Sequence, residues 1–376
     1  MSVEISDSDK LLIEELRSKI SSELKLVPAY DNDLSLLRWL VGWERKVDVI
    51  VPKASEALKT VHCMGLDKMD LSNFDAIRDF CDNISKPACY MPITLVGKDK
   101  EENVVSLQTM GRLDGHGLLH STMVSDMNTE KKTGKQHYIT VIMDLEGIGL
   151  DYIDVIKAIS GMLPKLQELY PEVLRKVFII RAPGFIHLIW SVFSIFLAKR
   201  TKERIEFCGS DWKEKLKEVI DESILYEHWG GTKPSDSTYG DIRMGGKIPK
   251  ELYYDASKDP FASSKDLKKI NVPARSAVFV PILVSGENKN RKLQWWWKCD
   301  SDVEFGVRLA PTGESKKAEE DSDVLIWPKW WIQTYFVPET RTISIPASGL
   351  YKLVFDNSFG KFWSKTVTYQ YVITEG

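Results

Sequence analysis

The chain has 376 residues, of which 43% are hydrophobic and 28% are charged, and its formal net charge is −3. These values are typical of an ordinary globular protein with two or three domains, and they provide no electrostatic basis for a nucleic-acid partner. A polar N-terminus without a signal-peptide core, scattered cysteines and no apolar run of about 20 residues predict a cytoplasmic protein without disulfides or a membrane span.

Apolar residues within 1–75 recur at the spacing that is typical of helices. Apolar residues such as Leu16 and Ile20 recur every three or four positions behind polar residues that can act as N-caps. A third helix is expected to begin near Pro52, which is tolerated at a helix start, and to stop at Gly65. We interpret this segment as a small helical bundle that supports the domain after it.

Residues 76–235 alternate between strand-like and helix-like patterns. Strands are predicted at 104–110, 137–145, 177–180 and 205–208, and helices at 118–130, 151–170 with a kink at Pro164, 185–197 and 211–220. Alternation of this kind predicts an α/β domain with a largely parallel sheet.

The predicted helix at 185–197 is apolar almost all round. Its only polar side chains, His187, Ser191 and Ser194, fall in one narrow stripe. A short apolar run is usually a core helix. The alternative is a helix with protein on one side and lipid on the other, which would meet a membrane together with the basic residues after it. The pattern alone leaves both interpretations open.

Residues 236–250 are rich in Gly, Pro, Ser and Lys and are predicted to be a linker. The apolar period then changes to two, which predicts an antiparallel β-sandwich over residues 251–376. The charged residues 314–323 are expected to form a solvated loop. Because side chains alternate along a strand, at least one of Trp295, Trp296 and Trp297 must point outward or lie under a loop.

Motifs for catalysis or metal binding are not found. The glycines between Gly111 and Gly117 do not have dinucleotide-loop spacing and are interpreted as a turn, and His116 and His120 lack a third metal ligand. Asp144 and Glu146 follow the central strand, where they are expected to cap the next turn. The chain is therefore predicted not to be an enzyme, and to have no catalytic residue, no metal and no cofactor.

Several blocks of sequence resemble a known family. HYITVIMDLEGIGL (137–150), YPEVLRKVFIIRAPGFIHLIWSVFSIFLAKRTKERIEF (170–207) and ILYEHWGGT (224–232) resemble the CRAL-TRIO lipid-binding domain, and DNDLSLLRWL (31–40) resembles the helical segment before it. LYKLVFDNSFGKFWSKTVTYQYVI (350–373) resembles a GOLD domain, a jelly-roll-like β-sandwich. This order is that of the supernatant protein factor, or tocopherol-associated protein, type.

The resemblance implies a lipid pocket floored by the sheet and closed by a mobile gate helix. Pocket and gate positions are then Phe185, Ile186, Leu188, Ile189, Trp190, Val192, Phe193, Phe196, Leu197, Val141 and Met143. Glu172, Thr201 and Arg204 match the headgroup residues of phosphatidylinositol-binding members. The cluster Lys199, Arg200, Lys202 and Arg204 is expected to dock on a membrane. Val41, Gly42 and Trp43 replace the family's Arg-Ala-Arg, so a phosphoinositide, a tocopherol, a retinoid or a squalene-like lipid all remain candidates.

The expected function is therefore binding and transfer or presentation of a hydrophobic lipid. The GOLD domain is expected to recruit a protein or a membrane, placing the chain transiently at Golgi or endosomal membranes. The alternative is a lipid-sensing adaptor in vesicle trafficking or signalling that acts through a GOLD-bound protein partner.

Overall fold

The computed structural model describes residues 5–68, 79, 85–121, 138–150, 152–320 and 322–375. The chain divides into two structural units: Met1–Leu118 with Thr122–Leu252, and Leu119–Ser121 with Tyr253–Gly376. The N-terminal helices and the α/β region therefore belong to one unit, and the β-rich region forms the other.

The N-terminal helices are α1 (Asp7–Lys19), α2 (Ser21–Leu26), α3 (Asp33–Gly42) and α4 (Val47–Cys63). The Ser6 hydroxyl caps α1 by accepting a hydrogen bond from the Asp9 amide. Helix α4 starts five residues before Pro52, where the sequence pattern placed its beginning. Val47 and Ile50 are buried one turn apart, and their packing stabilises the additional turn although Pro52 removes one backbone donor.

The α/β region contains a five-stranded sheet in the order β1-β2-β3-β4-β5. Its strands are β1 (Ile93–Lys98), β2 (Val104–Gln108), β3 (Ile139–Asp144), β4 (Leu174–Ile180) and β5 (Ile205–Phe207). β2 to β5 run parallel, whereas β1 pairs antiparallel with β2. The predicted largely parallel sheet is confirmed, and the edge strand β1 was not predicted.

The helices of this region are α5 (Gly115–His120), α6 (Tyr152–Ser160), α7 (Leu163–Leu169), α8 (Ile186–Phe193), α9 (Lys199–Glu203) and α10 (Trp212–Val219). The prediction of a single kinked helix at 151–170 is wrong, because α6 and α7 are separate helices. Pro164 lies in the first turn of α7, where a missing N–H is tolerated, so a new helix begins there. Most of the helix expected at 118–130 lies outside the described residues.

One face of the sheet is filled by an ordinary core. Leu107, Ile142 and Phe178 on three successive strands pack with Trp229 and residues of α10. The segment 236–250, expected as a linker, forms no strand, yet its Ile242 joins this core.

The second unit is an antiparallel β-sandwich, as predicted. Its strands are β6 (Lys268–Val272), β7 (Ala277–Val284), β8 (Lys292–Cys299), β9 (Asp302–Ala310), β10 (Val324–Gln333), β11 (Glu339–Ser344), β12 (Gly349–Asp356) and β13 (Lys365–Thr374). They form two four-stranded sheets, β10-β9-β12-β7 and β11-β8-β13-β6.

The three consecutive tryptophans of β8 are all buried. Trp295 and Trp297 contact Phe305 between the two sheets, with ring centroids 5.5 and 5.3 Å away. Trp296 points to the other side, where its indole Nε1 donates to Asp259 Oδ2 at 2.7 Å. The expectation that one tryptophan lies under a loop is therefore confirmed, and none of the three is outward.

The prediction that residues 314–323 form a purely solvated loop is wrong. The Lys352 ammonium group, fully buried in β12, donates to Asp323 Oδ2 at 2.5 Å and to Ser315 Oγ at 2.9 Å. Glu319 of the same loop pairs with Arg308 and Lys329. The loop is held on the sheet because these buried and partly buried cations need its oxygen atoms as partners.

Candidate functional site

The second face of the α/β sheet is apolar over three neighbouring strands. Val141 pairs with Val177, and Val177 pairs with Ile205. Met143 pairs with Ile179, which pairs with Phe207. Because side chains alternate along a strand, these residues point away from the core that contains Ile142 and Phe178. The two sheet residues predicted for a pocket floor, Val141 and Met143, lie on this face.

Helix α8 packs against one edge of this face, at Phe207 of β5. The Trp190 ring meets Phe207 edge-on with centroids 5.2 Å apart, and the His187 ring lies 6.2 Å from the same phenyl ring. Ile186 and Ile189 are buried one turn apart. The predicted helix is shorter than expected: α8 ends at Phe193, and a 3-10 turn, Ser194–Phe196, follows it. We call residues 186–196 the apolar helix.

The apolar helix also exposes aliphatic side chains on its outer surface. Leu188 is 66% exposed and Ile195 is 70% exposed. Between them Ser191, also exposed, donates its hydroxyl hydrogen to the Leu188 carbonyl oxygen at 2.7 Å. The remaining predicted positions Phe185, Trp190, Phe193 and Phe196 are partly buried, Leu197 is buried, and the Val192 side chain lies outside the described set. The helix therefore has an apolar inner side and an outer side with two exposed aliphatic groups.

Two polar side chains interrupt the apolar sheet face. Ser106 and Gln108 on β2 pair with Val141 and Met143 and therefore share their face. Gln108 Nε2 donates to the buried Ser106 hydroxyl at 3.3 Å. Sequence reasoning missed this pair. The alternation in Val104–Gln108 could have identified it, because Val105 and Leu107 face the other core.

Gln167 of α7 forms hydrogen bonds to the chain where the apolar helix ends. Its Nε2 donates to the Phe196 carbonyl oxygen at 3.0 Å, and its Oε1 accepts from the Ala198 amide at 2.8 Å and the Thr201 hydroxyl at 3.3 Å. One side chain therefore joins α7 to both sides of the junction between the apolar helix and α9. No sequence motif indicated this role for Gln167.

The structure brings Glu172 and Arg204 together, two of the three predicted headgroup residues. The Arg204 guanidinium group pairs with the Glu172 carboxylate and also donates to the Leu174 carbonyl oxygen. Arg200 approaches the same carboxylate, with Nε 3.4 Å from Oε1. Glu172 has a left-handed backbone with φ of 58°. Thr201 binds Gln167 instead of either headgroup candidate.

The turn after α3 lies against this ion pair. The Arg200 guanidinium donates to the Val41 carbonyl oxygen at 2.8 Å, and a Cβ on Gly42 would lie 3.0 Å from Pro171 Cβ. The Val41-Gly42-Trp43 segment that departs from the family pattern is therefore next to Glu172. The pKa of the Glu44 carboxyl is lowered by a hydrogen bond from Lys46 and, more weakly, by the nearby charges of Arg200 and Lys199.

The basic cluster is divided by this arrangement. Lys199 and Arg200 are exposed, and Lys202 is partly exposed. The Arg204 side chain, in contrast, is only 22% exposed and faces Glu172. Lys199, Arg200 and Lys202 are thus the members of the cluster that can meet a surface.

The remaining polar candidates have structural partners. Asp144 is buried and binds the Arg181 guanidinium and the Trp229 indole N–H, and its Oδ1 accepts from the Glu146 amide at 3.2 Å, capping the turn as expected. The described residues contain no group of three or more His, Cys, Asp or Glu that could hold a metal ion. Within the part of the chain that is described, every helix is too short or too polar to cross a membrane.

Comparison with known proteins finds a family model that matches this region. Residues 88–231 match the family model of the CRAL/TRIO domain. A CRAL-TRIO domain-containing protein of Caenorhabditis elegans is 28% identical over 296 residues, which cover 72% of this chain and 69% of that protein. Protein ctg-1 of the same organism is 24% identical over 383 residues, or 93% of this chain and 94% of that protein.

A plant protein extends the comparison. The phosphatidylinositol/phosphatidylcholine transfer protein SFH12 of Arabidopsis thaliana is 28% identical over 261 residues, which cover 62% of this chain. The match spans 46% of the plant protein, less than half of its length.

Proposed function

We propose that this chain, in which residues 88–231 form a CRAL-TRIO domain, binds a hydrophobic lipid and transfers or presents it at membranes. The observation that carries the proposal is the apolar sheet face of Val141, Val177 and Phe207, together with a helix that packs on Phe207 and exposes Leu188 and Ile195 on its outer side. A lipid chain between sheet and helix would replace contacts that the two now make with each other.

The outer side of the apolar helix supports a role as a gate. A helix on a protein surface normally presents polar residues to water. Leu188 and Ile195 instead offer aliphatic groups that a membrane interface would accept. Lifting the helix in water would expose the apolar sheet face, at a cost of about 25 cal/mol per Å². At a membrane the same surface meets acyl chains, so the opening becomes far less costly and the lipid can exchange.

The polar groups near the apolar face can distinguish lipid classes. Arg204, which the resemblance places among the headgroup residues, is the candidate ligand for a phosphate, but here it is paired with Glu172. A phosphorylated headgroup would have to displace that carboxylate. Ser106 and Gln108 offer a hydrogen-bonding anchor to a small-headed lipid such as a tocopherol or a retinoid. Arg204 therefore predicts a phosphorylated lipid, whereas the Ser106–Gln108 pair predicts a small-headed one.

We further propose that Lys199, Arg200 and Lys202 attract the anionic surface at which the gate opens. The β-sandwich, by its resemblance to a GOLD domain, would recruit a protein or a membrane, with the Golgi or endosomes as the destination. The alternative function is a lipid-sensing adaptor in which the bound lipid is a signal and is not transferred.

The first experiment measures the bound lipid directly. The chain is purified from a eukaryotic host and studied by native mass spectrometry, followed by lipid extraction and identification. We expect a stoichiometric lipid, and we expect Trp190→Asp to abolish it because the charge would face the apolar side of Phe207. Ser191→Asp, exposed on the same helix, is the matched control and should load normally.

The result can contradict the proposal in two ways. A lipid content equal to wild type in a folded Trp190→Asp variant would show that the lipid does not lie under the apolar helix. A wild-type chain that remains lipid-free after incubation with mixed liposomes would exclude lipid carriage and favour a lipid-independent adaptor.

A further inference from the structure

The loop between β12 and β13 of the β-sandwich exposes three large aromatic side chains. Phe359 is 67% exposed, Phe362 is 78% exposed and Trp363 is 81% exposed. All three lie within five residues of one another in the loop at 357–364, which we call the aromatic loop. Trp295 and Trp297 lie in the core of the sandwich, whereas Phe359 stacks at its surface on the partly buried Trp331 of β10, with ring centroids 5.9 Å apart. Contiguous aromatic exposure of this kind marks a binding surface.

The aromatic loop is held in a defined shape by one buried side chain. The Asn357 Nδ2 group donates to the carbonyl oxygens of Val272 at 3.2 Å, Pro273 at 3.3 Å and Trp363 at 3.0 Å. The Gly360 amide closes a tight turn by donating to the Asn357 carbonyl oxygen at 2.9 Å. Because the backbone is already ordered, presenting the aromatic groups to a ligand surface costs little further conformational entropy.

Two lysine residues lie in or next to the aromatic loop. A cleft of about 500 Å³ beside the loop is lined by residues that include Lys361, Trp363, Lys365, Asp300 and Ser301. Lys361 is exposed, whereas Lys365 binds the Asp302 carboxylate, with Nζ 3.3 Å from Oδ1.

The neighbouring turn adds another cation to this surface. Arg275 is exposed, and its backbone amide donates to the carbonyl oxygens of Asn357 and Gly360. Exposed cations thus flank the aromatic loop on two sides. Of the carboxylates nearby, Asp302 is already paired with Lys365 and Asp300 remains exposed. The surface therefore combines a protruding aromatic part with a positively charged border.

We propose that the aromatic loop is a membrane-docking element that inserts Phe359, Phe362 and Trp363 into the interface of an anionic phospholipid membrane. Phe and Trp side chains partition to this depth, and Lys361 and Arg275 at the border meet lipid phosphates. A protruding loop whose tip is aromatic and whose border is basic matches the layered chemistry of a membrane surface. The inference rests on the proposed recruitment of a membrane by the β-sandwich, for which it names the residues, and it does not depend on the proposed lipid pocket.

The test uses the full chain and protein-free vesicles of phosphatidylcholine with roughly one-third phosphatidylserine, a composition that provides the anionic surface. The variant carries Phe359→Ser, Phe362→Ser and Trp363→Ser. We expect its partition coefficient in vesicle co-sedimentation to fall by at least about tenfold, because each apolar group that leaves the interface weakens binding. Leu283→Ser, which removes another exposed apolar side chain of the sandwich, is the matched control and should bind as wild type.

A second measurement does not depend on the stability of the triple variant. Vesicles with brominated acyl chains should quench wild-type tryptophan fluorescence more than that of Trp363→Phe, since the removed indole is the one placed in the interface. Wild-type affinity in the folded triple variant, equal loss in the Leu283→Ser control, or no binding of the wild-type chain to vesicles would each overturn the proposal. The last outcome would assign the surface to a protein partner. Lipid loading, measured by native mass spectrometry, should be unchanged in the triple variant, which separates this inference from the pocket.

Discussion

Replacing Gln167 with alanine tests whether this side chain holds the apolar helix closed. The substitution removes the hydrogen bonds to Phe196, Ala198 and Thr201 that join α7 to the end of that helix. Each is worth about 0.5–1.5 kcal/mol, and partial exposure places the total near 2 kcal/mol. The junction should therefore open roughly 30-fold more often in Gln167→Ala, while the fold remains intact.

Hydrogen exchange measures this opening directly. The Ala198 amide donates to Gln167, so its protection reports on the same bond that the substitution removes. We expect exchange in the peptide covering 194–204 to accelerate by roughly 30-fold, and lipid exchange with vesicles to accelerate with it. Leu166→Ala, an exposed position on the same helix, is the control. An unchanged Ala198 exchange rate in Gln167→Ala would refute the reasoning that this residue holds the end of the proposed gate helix.

Three further predictions concern stability and charge. Lys352→Met should destabilise the β-sandwich by about 3–5 kcal/mol in chemical denaturation, because Asp323 is left buried without its partner; adding Asp323→Leu should recover most of this loss, and no recovery would contradict the pairing. Burial raises the pKa of Glu339 to about 7. Its protonated form is therefore favoured in the folded state, and stability should fall by about 2–3 kcal/mol as pH rises from about 4.5 to about 7. Glu339→Gln should remove this fall, which is measured by thermal melts as a function of pH. Parallel pH profiles of stability for the variant and the wild type would contradict the role of Glu339. Replacing Lys199 and Lys202 with Gln should weaken binding to anionic liposomes at low salt without changing lipid content; equal binding would argue against this docking surface.

The order of the structural elements could be predicted from the sequence because it depends on local patterns. The apolar run around Val141 and the period-two alternation around Val307 predicted a parallel sheet and a sandwich, and both are confirmed. The resemblance of residues 137–150 and 170–207 to CRAL-TRIO sequences located the apolar helix. Its exact end could not be predicted, because the 3-10 turn from Ser194 to Phe196 accompanies contacts with Gln167, which lies on another helix.

The sequence by itself determined which residues are apolar, which are charged and with what period they recur, and these properties follow from the chain without reference to distant partners. Tertiary structure alone decided the pairing of Arg204 with Glu172, the burial of Lys352 beside Asp323 and the turn of Trp296 towards Asp259. Each of these contacts joins residues more than 25 positions apart. A charge or an indole N–H is compatible with many partners, and only the packing of sheets and helices selects which one is within reach.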